Sequence, residues 1–121
     1  MRASFFGSSK TLDFDSNDVV YIIENGFECN THFRNGKEFS LSWGSMQTKL
    51  QKFCRVYSYD CFCPVYINPR EISTYCNFGC GVNVTFSNGE ELKELSRSDF
   101  YKNVVPAIPT ERESSDMDRQ I

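Results

Sequence analysis

Short apolar runs and two Asn-Gly dipeptides alternate along the chain, and this pattern predicts antiparallel β-hairpins. The first dipeptide, Asn35-Gly36, follows a run from Val19 to Ile23 that is apolar at every position. Such a continuous run predicts a strand that is buried on both faces. The second dipeptide, Asn88-Gly89, separates two β-like segments in the last third of the chain. The pattern therefore predicts a mainly β fold.

The register of the first hairpin follows from matching its apolar faces. A two-residue turn would place His32 opposite Phe39 and mix polar with apolar positions. A three-residue loop, Arg34-Asn35-Gly36, instead places Cys29 opposite Leu41 and puts its glycine in the left-handed conformation. On this register we predict that four large side chains pack on one side of the hairpin: Phe33, Phe39, Leu41 and Trp43.

The second hairpin and its neighbours are predicted by the same signals. A three-residue loop, Ser87-Asn88-Gly89, would place Val84 opposite Leu92. Glycines at 79 and 81 indicate another hairpin or bulge just before it. Near the start of the chain, two short strands at 3–6 and 11–15 are expected around a Gly-Ser-Ser turn.

Helical spacing appears in two places. Apolar side chains spaced at 0, 4, 7 and 10 predict an amphipathic helix at about 45–57, with Ser45 as its N-cap. A loop and then a strand around 61–67 are expected to follow. A short C-terminal helix is predicted at 98–105, ended by Pro106, and the polar remainder at 106–121 is predicted to be a disordered tail. The helical stripe consists of Met46, Leu50, Phe53 and Val56.

Three motifs together resemble a known family. They are the hairpin segment at 18–39, the VYIN tetrapeptide at 65–68, and the second hairpin with Ser96-Arg97 behind it. Over residues 3–105 the chain resembles the LytTR family, the DNA-binding output domain of LytR/AlgR-type bacterial transcription regulators. The resemblance implies a single LytTR-like domain at 1–105. It also implies a stand-alone regulator, without a receiver domain, whose partner is double-stranded DNA.

The resemblance also implies candidate DNA contacts. Arg97 matches the arginine of the closing Ser-Arg motif, and Asn25 lies in a loop where the family offers another contact. Counted back from VYIN, the family's basic Arg-Val-His-Arg/Lys-Ser motif falls on 60–64, which reads Asp-Cys-Phe-Cys-Pro here. Only Phe62 and Cys63 remain there for an apolar contact with a thymine methyl group. The resemblance therefore implies weaker DNA binding than is usual in the family.

Charge and cysteine content leave two alternatives to a DNA-binding function. The 121 residues carry a net charge of −3, and residues 1–105 contain 11 basic and 12 acidic side chains, so the domain lacks a basic footprint. One alternative is a diverged LytTR-like module that no longer reads DNA and acts through protein contacts, with a partner protein or as a homodimer. The other is a zinc-stabilised interaction domain that uses four thiols: Cys61, Cys63, Cys76 and Cys80.

Other function classes find little support in the sequence. No catalytic residues, cofactor site or metal site are predicted, since the chain has no acid pair with catalytic spacing and no phosphate-binding loop. The lone His32 is expected on the polar face of its hairpin, exposed to solvent. No apolar stretch is long enough for a signal peptide or a membrane span, so a cytoplasmic protein with reduced cysteines is expected. We therefore predict that the chain is not an enzyme and has no membrane partner.

Overall fold

The computed structural model describes residues 1–109 and has a mainly β fold, as the sequence predicted. The ten strands are β1 (Arg2–Ser4), β2 (Thr11–Asp13), β3 (Val19–Asn25), β4 (Glu28–Phe33), β5 (Glu38–Ser42), β6 (Cys54–Ser58), β7 (Cys63–Ile67), β8 (Ile72–Phe78), β9 (Gly81–Phe86) and β10 (Glu91–Ser96). Helix α1 (Trp43–Met46) leads into a 3-10 turn (Gln47–Lys49). A closing helical segment consists of α2 (Arg97–Asp99), a π-helical turn (Phe100–Val104) and a 3-10 turn (Val105–Ala107).

The strands form two antiparallel sheets. Strands β1 and β2 pair with each other, and the other eight run in the order β5-β4-β3-β7-β6-β10-β9-β8. The junction between β6 and β10 is narrow, with only Leu95 opposite Ser58 in the register. Because this junction is narrow, β8, β9 and β10 can fold across the face of β3, β6 and β7.

The first core lies where the sheet folds over itself. Strands β3, β6 and β7 supply one wall, and β9, β10 and the closing helical segment supply the other. Burial of each large apolar side chain here stabilises the fold by about 1.5–3 kcal/mol. The main buried members are Val20, Tyr21, Val56, Val65, Ile67, Ile72, Val82, Val84, Phe86, Leu92, Leu95, Phe100 and Val104.

The second core lies on the opposite face of β3, β4 and β5, beneath β1, β2 and α1. Its buried members include Val19 and Ile22, so β3 is buried on both faces, as its continuous apolar run predicted. Phe33 and Leu41 are buried here, and Phe39 and Trp43 pack against them, so the predicted apolar side of the first hairpin is confirmed.

Both Asn-Gly hairpins have the predicted register. Cys29 pairs with Leu41, and Val84 pairs with Leu92. The loop glycines have positive φ angles, +87° at Gly36 and +88° at Gly89. Glycine occupies this conformation without the steric penalty that other residues incur, which explains why the three-residue loops form at these dipeptides.

The predicted helix at 45–57 is wrong over most of its length. Helix α1 begins at Trp43, two residues earlier than predicted, and the helical turns end at Lys49. Ser45 lies inside the helix, and its hydroxyl accepts the backbone N–H of Ser4, so it is not the N-cap. The residues at 54–58 form β6 because their backbone pairs with β7 along five positions. Of the predicted stripe, only Val56 lies in β6, where it is buried in the first core, whereas Met46, Leu50 and Phe53 pack in the second.

The predicted closing helix forms, with Phe100 and Val104 buried in the first core. The packed region continues past Pro106, since Ile108 is also a buried member of that core. The predicted tail at 106–121 is thus ordered against the domain at its start, and residues 110–121 lie outside the described part of the chain. Within residues 1–109, no helix is both long enough and apolar enough to cross a membrane.

Replacement of Gly81 by alanine is expected to cost about 1–3 kcal/mol of unfolding free energy, the usual range for overpacking. A Cβ at this position would lie 2.9 Å from the carbonyl oxygen of Leu95 and 3.1 Å from Cα of Glu94, both in the adjacent backbone. Gly44→Ala is the matched control, because the nearest atom to its Cβ would be 3.6 Å away. Urea unfolding should show a loss for the first variant and a change within about 0.5 kcal/mol for the second. Equal stability of the two variants would contradict this packing.

Candidate interaction surface

Three of the four predicted contact residues lie at one end of the sheet. Asn25 ends β3, while Phe62 and Cys63 lie at the turn between β6 and β7. Strands β3 and β7 pair with Ile23 opposite Val65, so the same register brings Asn25 beside Cys63. The turn at 25–28 and the turn at 59–62 are therefore neighbours.

These two turns expose aromatic side chains. Phe27 is 85% exposed, Phe62 is 79% exposed and Tyr59 is 52% exposed. We call these three residues the aromatic tip surface. The backbone N–H of Tyr59 donates to the carbonyl oxygen of Glu94, which fixes this turn against β10. Aromatic side chains left in solvent on anchored turns offer apolar area to a partner at little conformational cost.

The charge around the aromatic tip surface is acidic. The turns at 25–28 and 59–62 contain Glu28 and Asp60 and no lysine or arginine. Beside them, Glu24 accepts a hydrogen bond from the hydroxyl of Tyr66 at 3.0 Å. Burial raises the pKa of that hydroxyl and the neighbouring carboxylate raises it further, whereas Arg55 on the paired strand lowers it. Since DNA affinity depends on cations that neutralise phosphates, the two turns, which contain none, are a poor phosphate-binding surface.

Arg97 lies away from the aromatic tip surface. Strand β10 runs antiparallel to β6, so residues beyond Leu95 face the part of β6 before Ser58. The Arg97 guanidinium donates through Nη2 to the carbonyl oxygens of Gly79 at 2.7 Å and Gly81 at 3.1 Å. These bonds hold the turn between β8 and β9, which gives this arginine a structural role besides the implied DNA contact.

The Ser-Arg motif caps the closing helical segment, and the VYIN motif caps a 3-10 turn at Pro69–Glu71. Ser96 accepts the backbone N–H of Asp99 through its hydroxyl and so caps the closing helical segment. Asn68, predicted to form a turn, accepts the N–H of Arg70 and donates to the carbonyl oxygen of Val19 at 2.9 Å. Capping side chains of this kind stabilise helix ends by about 0.5–2 kcal/mol.

The four cysteines considered for zinc do not form one site. Cys61 lies in the turn before β7 and Cys63 begins that strand, whereas Cys76 and Cys80 belong to β8 and the turn after it. Nowhere in residues 1–109 do three or more His, Cys, Asp or Glu side chains come close enough to hold a metal ion. All six cysteines are free.

The prediction that His32 is exposed is wrong. Its side chain is only 11% exposed, because the turn between β9 and β10 covers this face of the hairpin. The ring nitrogen Nδ1 lies 2.9 Å from Oε1 of Glu90, and a carboxylate can only accept, so the histidine donates. Tyr21 stacks on the ring and donates its hydroxyl to the same oxygen at 2.9 Å. This network ties the second hairpin to β3 and β4.

No protein-family model, curated protein or solved structure significantly matches the chain.

The cysteines are expected to differ sharply in reactivity. Cys29 is fully buried, and burial raises the pKa of its thiol to about 11 from a reference of 9.0. Because the fold favours the neutral thiol, Cys29 adds stability that is present below pH 9 and lost as the pH rises toward 11. Brief maleimide labelling at pH 8 should modify the exposed thiols and leave Cys29 untouched, as measured by peptide mass spectrometry. Labelling of Cys29 at the rate of the exposed thiols would contradict its placement. The exposed thiols are Cys61, Cys76 and Cys80.

Proposed function

We propose that the chain is a diverged LytTR-like domain that binds a protein partner through the aromatic tip surface. One observation carries the proposal: Phe27 and Phe62 are almost fully exposed on adjacent turns that contain no basic residue. Exposed aromatic residues of this kind serve as anchors in protein interfaces, where a few large side chains provide most of the binding energy. The acidic groups beside them favour a partner with basic residues around an apolar pocket.

The LytTR assignment is itself part of this proposal. It rests on the hairpin segment at 18–39, the VYIN tetrapeptide and the Ser-Arg motif. The two three-residue loops with left-handed glycines and the caps formed by Asn68 and Ser96 are consistent with those motifs having a structural purpose. These features support a shared architecture, and they do not depend on DNA binding.

DNA binding through Asn25, Phe62, Cys63 and Arg97 is the alternative function. It requires the first three residues to approach a duplex from an acidic end of the sheet. It also requires Arg97 to contact DNA from a separate position while its Nη2 remains bonded to the turn between β8 and β9. The protein-binding proposal needs neither condition, and for that reason we prefer it.

Fluorescence anisotropy with a labelled mixed-sequence duplex distinguishes the two functions. At low salt, where non-specific contacts to phosphates are strongest, we expect no saturable binding by the full chain. Under the alternative, binding would saturate, weaken steeply with added salt, and lose about 1–3 kcal/mol in Arg97→Ala.

Because Arg97 also supports a turn, its variant must be shown to be folded by far-UV circular dichroism. Asn25→Ala is a cleaner companion, since Asn25 is exposed at the end of β3. Saturable binding that both variants weaken would overturn the protein-binding proposal and establish the DNA alternative.

A further inference from the structure

A pair of thiols lies where the turn between β6 and β7 ends, with Cys61 in the turn and Cys63 as the first residue of β7. Ser58 pairs with Cys63 at the last rung of this hairpin, and the turn at 59–62 connects them. The backbone N–H of Cys61 donates to the hydroxyl of Ser58 at 3.2 Å, which folds the turn back on itself. Only Phe62 separates Cys61 from Cys63, so both cysteines lie at this one turn.

The backbone at Phe62 brings the two cysteines closer together. Phe62 has a φ angle of +57°, one of two positive values at residues other than glycine in the described chain. A left-handed residue is compact, so it brings its two neighbours closer together than an extended residue does. Disulfides need Cα separations of about 4.4–6.8 Å, a range that a compact residue between two cysteines favours. The ring of Phe62 remains in solvent. Burial of the ring therefore contributes nothing that would offset the steric cost of the left-handed backbone.

The two thiols differ in access. Cys61 is exposed, whereas Cys63 is half-buried at the start of β7. Burial, followed by the nearby Cys61, raises the pKa of Cys63 to about 11. The turn has no lysine or arginine that would stabilise a thiolate. Since stabilised thiolates favour the reduced form of a thiol pair, nothing in this turn opposes a neutral disulfide.

We infer that Cys61 and Cys63 form a redox-sensitive pair that closes a disulfide within the turn by exchange with a low-molecular-weight disulfide. The Cys61 thiolate attacks one sulfur of an external disulfide such as glutathione disulfide and expels one thiolate. Cys63 then loses its proton, attacks the Cys61 sulfur of the mixed disulfide and expels the second thiolate. Two cysteine thiols are oxidised, the external disulfide is reduced to two thiols, and these take up the two protons. This inference is independent of what the aromatic tip surface binds.

The test uses the full chain equilibrated in glutathione buffers with increasing proportions of the disulfide form at pH 8. After acid quenching, alkylation and trypsin digestion, the peptide at 56–70 contains only these two cysteines, because cleavage follows Arg55 and Arg70. We expect this peptide to become two hydrogens lighter and resistant to alkylation. In Cys63→Ser, a glutathione adduct should accumulate on Cys61 instead.

A synthetic peptide with the sequence of 56–70 measures what the fold contributes. If the fold positions the thiols, the chain should reach half oxidation at a glutathione disulfide proportion roughly tenfold lower than the free peptide does, a difference of about 1.4 kcal/mol. Equal oxidation of chain and peptide would overturn the inference. Accumulation of glutathione on both cysteines of the unmodified chain, without ring closure, would overturn it as well.

Discussion

Replacing Phe86 with alanine is expected to lower the free energy of unfolding by about 3–5 kcal/mol, the range for removing a large aromatic side chain from a core. Phe86 is 1% exposed, and its ring stacks on Tyr21 with 5.0 Å between centroids. It lies where β9 meets β3, so its loss leaves a cavity between the two walls of the first core. Urea denaturation followed by circular dichroism measures the effect.

Phe27→Ala is the matched control, because the same atoms are removed from a side chain that is 85% exposed. Its unfolding free energy should change by no more than about 0.5 kcal/mol. This result would also show that Phe27 can be changed without unfolding the domain. If Phe27→Ala proved as damaging as Phe86→Ala, the aromatic tip surface would be part of a core and not a binding surface.

Glu90→Ala is expected to be the second most damaging change. The carboxylate accepts from Tyr21 and His32 through Oε1 and from Asn88 through Oε2. Removing it leaves the Tyr21 hydroxyl and Nδ1 of His32 without this acceptor, and each such part-buried donor costs about 1–3 kcal/mol. The β9–β10 turn would keep only the bond from Asn88 to the carbonyl oxygen of Phe33 as its side-chain link to β4.

Two variants separate this network from simple loss of side-chain volume. Glu90→Gln keeps an acceptor oxygen and the side-chain length, so it should lose less stability than Glu90→Ala. In a Tyr21→Phe background, Glu90→Ala should cost less than in the unmodified chain, because one donor has already been removed. Strict additivity of the two changes in urea unfolding would mean that the Tyr21 hydroxyl and Glu90 do not interact.

The hairpin registers were predictable from the sequence because the information is local. A left-handed glycine and the alternation on either side of it suffice to select the three-residue loop at Arg34-Asn35-Gly36. The stretch at 54–58 was not predictable in the same way. Val56 in this stretch continues the helical stripe that begins at Met46, and the same short stretch is also compatible with a strand. Pairing with β7, which no local pattern contains, decides between the two.

The candidate interaction surface could likewise be predicted only where local patterns determine it. Alternation correctly places His32 on the face opposite the second core, but that face is covered by a turn some 58 residues away in sequence. Arg97 could be singled out by motif resemblance alone. Its bonds to Gly79 and Gly81 depend on how two hairpins pack, so its structural role was not visible in the sequence. The exposure of Phe27 and Phe62 likewise required the three-dimensional arrangement of two turns.

The most direct test of the proposed function immobilises three versions of the 121-residue chain and exposes each to an extract of the cells in which the protein occurs naturally. They are the unmodified chain, a Phe27→Ser/Phe62→Ser double variant, and Phe78→Ser as a control at another exposed phenylalanine, the last residue of β8. The proposed function predicts that the unmodified chain and the control retain a protein that the double variant loses, and that nuclease treatment does not abolish this retention. Equal retention by all three baits, or retention that disappears with nuclease, would contradict it.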